Sequence, residues 1–541
     1  MFSVDDAVNK AGYGAFQVRL TCLAGLGWLA DAFEIIILSV IGDFIACDWP
    51  LYRWQNALLT SVVFAGMMIG SPVFGSAADI YGRKKSLAAS VTLLFLFGAV
   101  SAASPSYTWM AIFRCCMGFA LGGVAQGLTL CCEYFPTNIR GKAGFYLCYF
   151  WSVGTICVIL MTWVIMEYLN NWRVLIAAAS LPAFIVIISL KWYPESARYY
   201  LVSNQHEEAR KILEKMATMN GSQLPYGRLI EVSQCRKRGR ISDLLGKDYR
   251  RQTLLFWYIW LAVAFAYYGI ALISPIVIQK GSLLADQGAN STHISYFDDL
   301  AQRVQCTKFT QQNYIDLLWT SAAEFPGLII FTFLVEHCNR KVLLGTSCGI
   351  SSVLIFLLLL NTQYKIIILL FLFGTRAIIV AVFQLIFVMT TEAFPTSLRA
   401  IAMGSGSSFC RLGGMVIPYV AQVLVIENPV GAVSLLGGCI LLAAVAAYFL
   451  PLETRGAEMK VNYPPPFFFF DTLMPGCRCK IRDVAGSMIY LSQNGQMTLN
   501  CLDRFIRNMV LPPHHTTGFI HWKRVLARLT EHEVSGIDRG A

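Results

Sequence analysis

Asp31 and Glu34 stand three residues apart in an apolar stretch running from about 18 to 42. At helical spacing their carboxyl groups share one face. A charged side chain at the centre of a membrane helix costs about 2.5–3.5 kcal/mol on insertion scales, so each one needs a reason to be there. Neighbouring acids raise one another's pKa and burial acts the same way, which suits a pair that takes up and releases protons. The structural alternative is an inward charge neutralised by a basic partner. Glu324, Gln384 and Arg411 pose the same question in later apolar stretches, Arg411 within Phe409-Cys-Arg411-Leu-Gly-Gly414. Such groups can bind a charged solute or pair with opposite charges across the molecule. Trp28, Trp151, Tyr267, Tyr268 and Trp319 are the aromatic candidates for lining a cavity beside them.

Other charges come in a repeated phrase. Asp79-Ile-Tyr-Gly82-Arg83-Lys84-Lys85 returns as Glu336-His-Cys-Asn339-Arg340-Lys341, an offset of 336 − 79 = 257. Glu133-Tyr-Phe-Pro136-Thr-x-x-Arg140 returns as Glu392-Ala-Phe-Pro395-Thr-x-x-Arg399, an offset of 392 − 133 = 259. Pro194-Glu195-Ser-Ala-Arg198 returns as Pro451-Leu-Glu453-Thr-Arg455, an offset of 451 − 194 = 257. Arg114 and Arg376 also occupy matching places. Three landmarks in one order at nearly one offset indicate an internal duplication, a common construction of secondary transporters. Asp79, Gly82, Arg83, Arg114, Glu133 and Arg140, with Glu336, Arg340, Arg376, Glu392 and Arg399, are therefore expected to form paired conformational gates. Gly82 and Asn339 are expected to supply the positive φ of a tight turn. Solute chemistry is expected in what is not repeated: Asp31, Glu34, Glu324, Gln384 and Arg411.

The elements that must carry these residues are membrane helices. Of 541 residues 56% are hydrophobic and 14% charged, against about 25% charged in soluble domains. Twelve apolar stretches can each cross about 30 Å of hydrocarbon. They lie near 18–42, 54–78, 86–104, 108–132, 144–168 and 172–193, then 252–276, 314–335, 341–360, 366–391, 400–424 and 430–450. The expected organisation is a cytoplasmic N-terminus (1–17), a six-helix bundle (18–193), a cytoplasmic linker (194–251), a second bundle (252–450) and a cytoplasmic tail (451–541), disordered after 462. The net charge of +11 reflects Lys and Arg gathered in cytoplasmic loops, so it is no sign of nucleic acid. The 277–313 loop then faces outside or a vesicle lumen, where Asn290-Ser291-Thr292 is a glycosylation acceptor. Asn220-Gly-Ser222 falls on the cytoplasmic side and should stay bare. Cys47 and Cys306 both lie in non-cytoplasmic loops, where a disulfide can form. Gly66-x-x-x-Gly70 and Gly118-x-x-x-Gly122 allow close helix approach.

Gly75-Ser-Ala-Ala-Asp79-Ile-Tyr-Gly82-Arg83-Lys84-Lys85 resembles the signature loop of the major facilitator superfamily. Pro194-Glu-Ser-Ala-Arg198, Pro451-Leu-Glu-Thr-Arg455, Arg114-Cys-Cys-Met-Gly118 and Asn171-Trp172-Arg173 resemble its sugar-porter-like branch. Gly27-Trp-Leu-Ala-Asp31-Ala-Phe-Glu34 and Asp316-Leu-Leu-Trp-Thr with Glu324-Phe-Pro-Gly327 are similar to synaptic-vesicle-two-related proteins, which in turn resemble organic ion transporters. The resemblance covers about residues 4–460. It implies an all-α membrane protein, two pseudo-symmetric six-helix bundles around a central cavity, alternating access, and a plasma or vesicle membrane.

No Walker-type phosphate loop, zinc-type cysteine pair or catalytic constellation is present in the sequence, so an ATP-driven pump or an enzyme is not expected. Span five lacks the Gly-Pro signature of drug–proton antiporters. The leading expectation is a monomeric secondary transporter of a small organic solute, an organic ion, sugar-like molecule or carboxylate, with proton coupling through Asp31 or Glu34. No cofactor or metal is expected. The alternative is a vesicle membrane receptor or scaffold that keeps the fold without transporting.

Overall fold

In a computed structural model, residues 2–137, 139, 143–229, 241–281, 283–284, 304, 309–360, 364–451, 453, 480–484 and 487–491 are described. Twelve helical spans among them are long and apolar enough to cross a membrane. Spans one to six are Ala15–Ser39, Arg53–Tyr81, Arg83–Ala102, Tyr107–Tyr134, Ala143–Tyr168 and Trp172–Trp192. Spans seven to twelve are Arg250–Lys280, Gln311–His337, Arg340–Leu357, Lys365–Ala393, Ile401–Glu427 and Pro429–Tyr448. The chain is an integral multi-pass membrane protein. Its ends beside Arg83, Lys84, Lys85, Arg340 and Lys341 are called the basic face below.

The packing repeats with the sequence. Span one lies along five as seven lies along eleven; two along four as eight along ten; three with six as nine with twelve. Small residues set these distances. A Cβ on Gly66 would sit 2.2 Å from the Cys115 carbonyl oxygen, and one on Gly118 would sit 2.1 Å from that of Val63. Gly327 of span eight approaches the Ala377 carbonyl of span ten in the same way, at 1.9 Å. With little hydrophobic drive between helices in lipid, this backbone contact is what holds them together. Between the halves, span two meets eleven and span five meets eight and ten.

Interruptions fall at informative places. Span eight breaks at Ala323, immediately before Glu324, with Pro326 in the next turn. Span eleven passes through a π-helical segment, Tyr419–Leu424, after Pro418, and such segments recur at functional sites.

At the basic face the short helix Val4–Ala11 is closed by a capping box. Ser3 Oγ accepts from the Asp6 backbone N–H, and Asp6 Oδ2 accepts from that of Ser3. The linker helix His206–Met219 packs against it. Asn220, at the end of the linker helix, donates to the carbonyls of Ala11 and Gly12 at 3.4 and 3.2 Å and ties the same corner to span one, accepting from the Phe16 N–H at 3.1 Å and donating to Gln17 Oε1 at 2.8 Å. Its side-chain amide is thus engaged by protein. Cys47 is disulfide-bonded, and no other described cysteine takes part in a disulfide, so its partner lies outside the described residues, as does Cys306. The Val304 N–H donates to the Leu51 carbonyl at 2.9 Å, which brings the chain just before Cys306 to the loop of Cys47.

Residues Asn462–Ala541 form a separate unit. Its described residues are an antiparallel hairpin, Lys480–Val484 with Ser487–Leu491. Arg140 and Asn290 lie outside the described residues.

Candidate functional site

Two buried ion pairs stand in the middle of the spans. Arg114 of span four donates to Glu34 Oε2 of span one at 3.0 Å, with both side chains 1% exposed. Arg376 of span ten donates to Glu324 Oε1 of span eight at 3.2 Å. The arginines match between the halves but the acids do not, since one comes from the first helix of its half and the other from the second. Arg114 and Arg376, grouped by the sequence reading with the loop gates, are thus placed mid-span against two of the candidate solute residues. Glu324 also reaches across the halves, accepting from Ser152 Oγ of span five at 2.9 Å. The helix break before it turns the carboxylate between spans five and ten.

Asp31 and Arg411 differ from these. Asp31 lies one turn before Glu34, and the charge that acts on it most strongly is Arg411 of span eleven, in the other half. Arg411 donates to the Ser407 carbonyl at 2.9 Å and to Ser407 Oγ. Asp31 Oδ1 and Arg411 Nε are buried and have no hydrogen-bond partner among the described residues. Tyr268 lies within electrostatic reach of both.

A chain of aromatic contacts leads from Tyr268 across the halves. Trp28 meets Trp151 edge-on at 6.3 Å, and the Trp151 indole N–H donates to the Tyr267 hydroxyl at 2.5 Å across the halves. Tyr267 touches Tyr268 at 5.3 Å, and Tyr268 touches Phe64 of span two at 4.7 Å. Gln384 of span ten meets span five across the halves, its amide donating to Cys148 Sγ at 3.3 Å. Trp319 is elsewhere: it stacks on Phe373 and is 52% exposed on the outer surface of the spans, so it lines no cavity with the others.

The repeated loops form two latches. Arg83 donates to Glu133 Oε1 at 2.6 Å and to Gln126 Oε1 at 3.1 Å, and lies 3.9 Å from Asp79. Arg340 is ion-paired with Glu392 in the second half. Gly82 has φ +101°, as its turn requires, but Asn339 has φ −64° and is extended. The expected positive φ therefore holds in one copy only: Asn339 enters span nine as an ordinary helix-preceding residue, which needs no left-handed backbone. Glu336 lies exposed at the end of span eight, and Arg399 lies in the first turn of the helix Thr396–Pro418.

Sequence reasoning did not assign the groups that fasten these latches. Glu195 accepts from the backbone N–H groups of Arg83 and Lys84 at 2.8 and 3.1 Å. Glu453 accepts from those of Arg340 and Lys341 at 3.0 and 3.2 Å. The signal was present, as both acids sit in the repeated phrase, 453 − 195 = 258 residues apart. Gln17 and Gln252 are a further matched pair, donating to the carbonyls of Tyr134 and Ala393 at 3.0 and 2.9 Å. Their separation, 252 − 17 = 235, departs from the common offset because the loops after spans one and seven differ in length, so a fixed-offset comparison passes over them. Outside the spans, burial pushes the Asp43 carboxyl up to about 7.

The architecture and its interior charges define a transporter of the major facilitator fold. Residues 36–286 match the family model described as sugar (and other) transporter. The Escherichia coli xylose transporter XylE, in a partially occluded inward-open conformation, superposes with a TM-score of 0.62 at 16% identity, covering 82% of this chain and 99% of that one. The synaptic vesicle 2-related protein of Xenopus laevis is 39% identical over 85% of this chain and 82% of its own length. Organic cation/carnitine transporter 7 of Arabidopsis thaliana is 33% identical over 85% of this chain and 96% of its own length. The chain belongs to the synaptic vesicle 2-related proteins of the major facilitator superfamily.

Proposed function

We propose that the chain carries a small organic ion bearing both an ammonium and a carboxylate group, bound between Asp31 and Arg411. The observation that carries this reading is that pair: opposite charges from opposite halves, each with a buried atom left without a partner. Glu34–Arg114 and Glu324–Arg376 are ion pairs, although Glu34 Oε1 and Arg114 Nε and Nη2 are also buried without a hydrogen-bond partner; Asp31 and Arg411 form no ion pair with a described residue, so their charges are the ones left for a solute. An ammonium beside Asp31 would face the rings of Trp28, Trp151 and Tyr268, and aromatic faces attract organic cations. Arg411 offers a planar fork suited to a carboxylate. The relative named for organic cations and carnitine supports the same class.

The basic face is the cytoplasmic one, because loops rich in Lys and Arg stay inside. Both latches close within their own half, whereas the side-chain contacts between halves run from Gln384–Cys148 outward through Ser61–Met415 to Trp163–Tyr314. This arrangement supports a conformation closed on the outer side, with solute reaching the site from the cytoplasm. Rocking the halves would exchange the outer seam for contacts between the latches, the usual form of alternating access. Asp31 is the proposed proton-coupling group, and a vesicle membrane is the proposed location.

A melting-temperature screen of the purified protein tests the solute class. Ammonium carboxylates should stabilise it, neutral sugars should not, and Asp31→Asn should abolish the response. Stabilisation by sugars alone would refute the proposal.

A further inference from the structure

A cleft of about 160 Å³ opens at the basic face between the start of span one, the end of span six and the linker helix His206–Met219. Arg19, Lys191 and Lys215, one from each element, surround it, and no acid among the described residues lines it. None of the three forms an ion pair with a described residue. The linker helix neutralises its other cations, Arg210 with Glu214 at 2.8 Å and Lys211 with Glu208 at 2.7 Å, yet leaves Lys215 facing the cleft. Leu20, Leu23 and Ile212 supply apolar walls. Trp192, which also lines the cleft, is 47% exposed.

We infer that this cleft seats an anionic phospholipid of the adjoining leaflet, its phosphate among Arg19, Lys191 and Lys215 and its glycerol and upper chain against the apolar walls. Charge complementarity requires an anion, and basic pockets at this level of a membrane protein suit lipid head groups. A free phosphate would satisfy the cations alone, whereas a lipid would also cover the exposed ring of Trp192 beside them. The seat joins span one, which carries Asp31 and Glu34, to the linker helix, so an occupied seat ties these elements together.

The test is lipid retention by the full-length protein in phosphatidylcholine nanodiscs with or without phosphatidylserine, counted by native mass spectrometry after extraction. Wild type should retain phosphatidylserine in preference to phosphatidylcholine. The triple variant Arg19→Gln, Lys191→Gln, Lys215→Gln should lose at least about tenfold of that preference, since each surface cation contributes about a factor of five. The charge-keeping set Arg19→Lys, Lys191→Arg, Lys215→Arg should retain it, as should Arg210→Gln with Lys211→Gln. Equal melting in pure phosphatidylcholine establishes that the triple variant is folded; if it is not, Lys191→Gln and Lys215→Gln are read singly. Undiminished retention by the glutamine variants overturns the assignment. Displacement of the lipid by millimolar inorganic phosphate also overturns it, because the site would then read a free anion.

Discussion

Glu195 accepts from the backbone N–H of Arg83 at 2.8 Å, so the end of span six closes the start of span three. Glu453 and Arg340 repeat this at 3.0 Å in the second half. These acids occupy helix N-termini, where a carboxylate satisfies orphan donors and meets the positive end of the helix dipole. Removing such a cap costs about 0.5–2 kcal/mol. Glu195→Ala and Glu453→Ala should each lower the melting temperature, and the double variant should show the sum, as expected for separate sites. A double variant no less stable than either single one would mean the two latches act as one unit.

The buried pair Glu34–Arg114 gives an asymmetric prediction. Removing one partner strands a charge, at a cost of about 3–5 kcal/mol, whereas replacing both can be nearly neutral. Glu34→Gln or Arg114→Gln alone should sharply reduce the yield of folded protein, and Glu34→Gln with Arg114→Met should recover much of it. The readout is monodisperse protein after detergent extraction.

Glycine positions separate packing from propensity. Gly118→Ala places a methyl group 2.1 Å from the Val63 carbonyl and must push spans two and four apart. A loss of about 1–3 kcal/mol is expected, typical of overpacking. Gly438→Ala meets nothing within 4 Å and should be neutral or slightly stabilising. Comparable melting temperatures for the two variants would contradict the close approach.

Much of this was legible in the chain. The twelve apolar stretches gave the spans because a bilayer imposes one length on every helix. The triple repeat marked the loops that carry matching contacts in each half, because duplicated halves keep their turns in register. What could not be read was the pairing. That Glu34 would take Arg114 while Asp31 was left to Arg411 depends on helix rotation, which three-residue spacing does not determine. Likewise the equivalence of Asn339 with Gly82 failed because one turn uses left-handed backbone and the other does not.

Asp43, in the short helix Ile41–Ile45 after span one, supplies a pH signature. Burial raises its carboxyl from 3.8 to about 7. The folded protein then holds a proton that the unfolded chain has released, so this group favours folding fully below pH 3.8 and loses that contribution as pH rises through about 7. Melting temperature should fall between pH 5 and pH 8, and Asp43→Asn should flatten the fall. Parallel curves for the two proteins would remove Asp43 from the account.

The central claim is that Asp31 and Arg411 hold the solute between the halves. The most direct measurement is counterflow of a radiolabelled ammonium carboxylate in proteoliposomes, comparing wild type, Asp31→Asn, Arg411→Gln and the latch variant Glu453→Ala. Each site variant should lose at least about tenfold of the rate, as expected when one charge-assisted contact worth about 1.5–3 kcal/mol is removed. Asp31→Asn should also lose any response to a pH gradient, and Glu453→Ala should keep its substrate selectivity. Uptake by Asp31→Asn and Arg411→Gln at the wild-type rate, with unchanged pH dependence, would contradict the account.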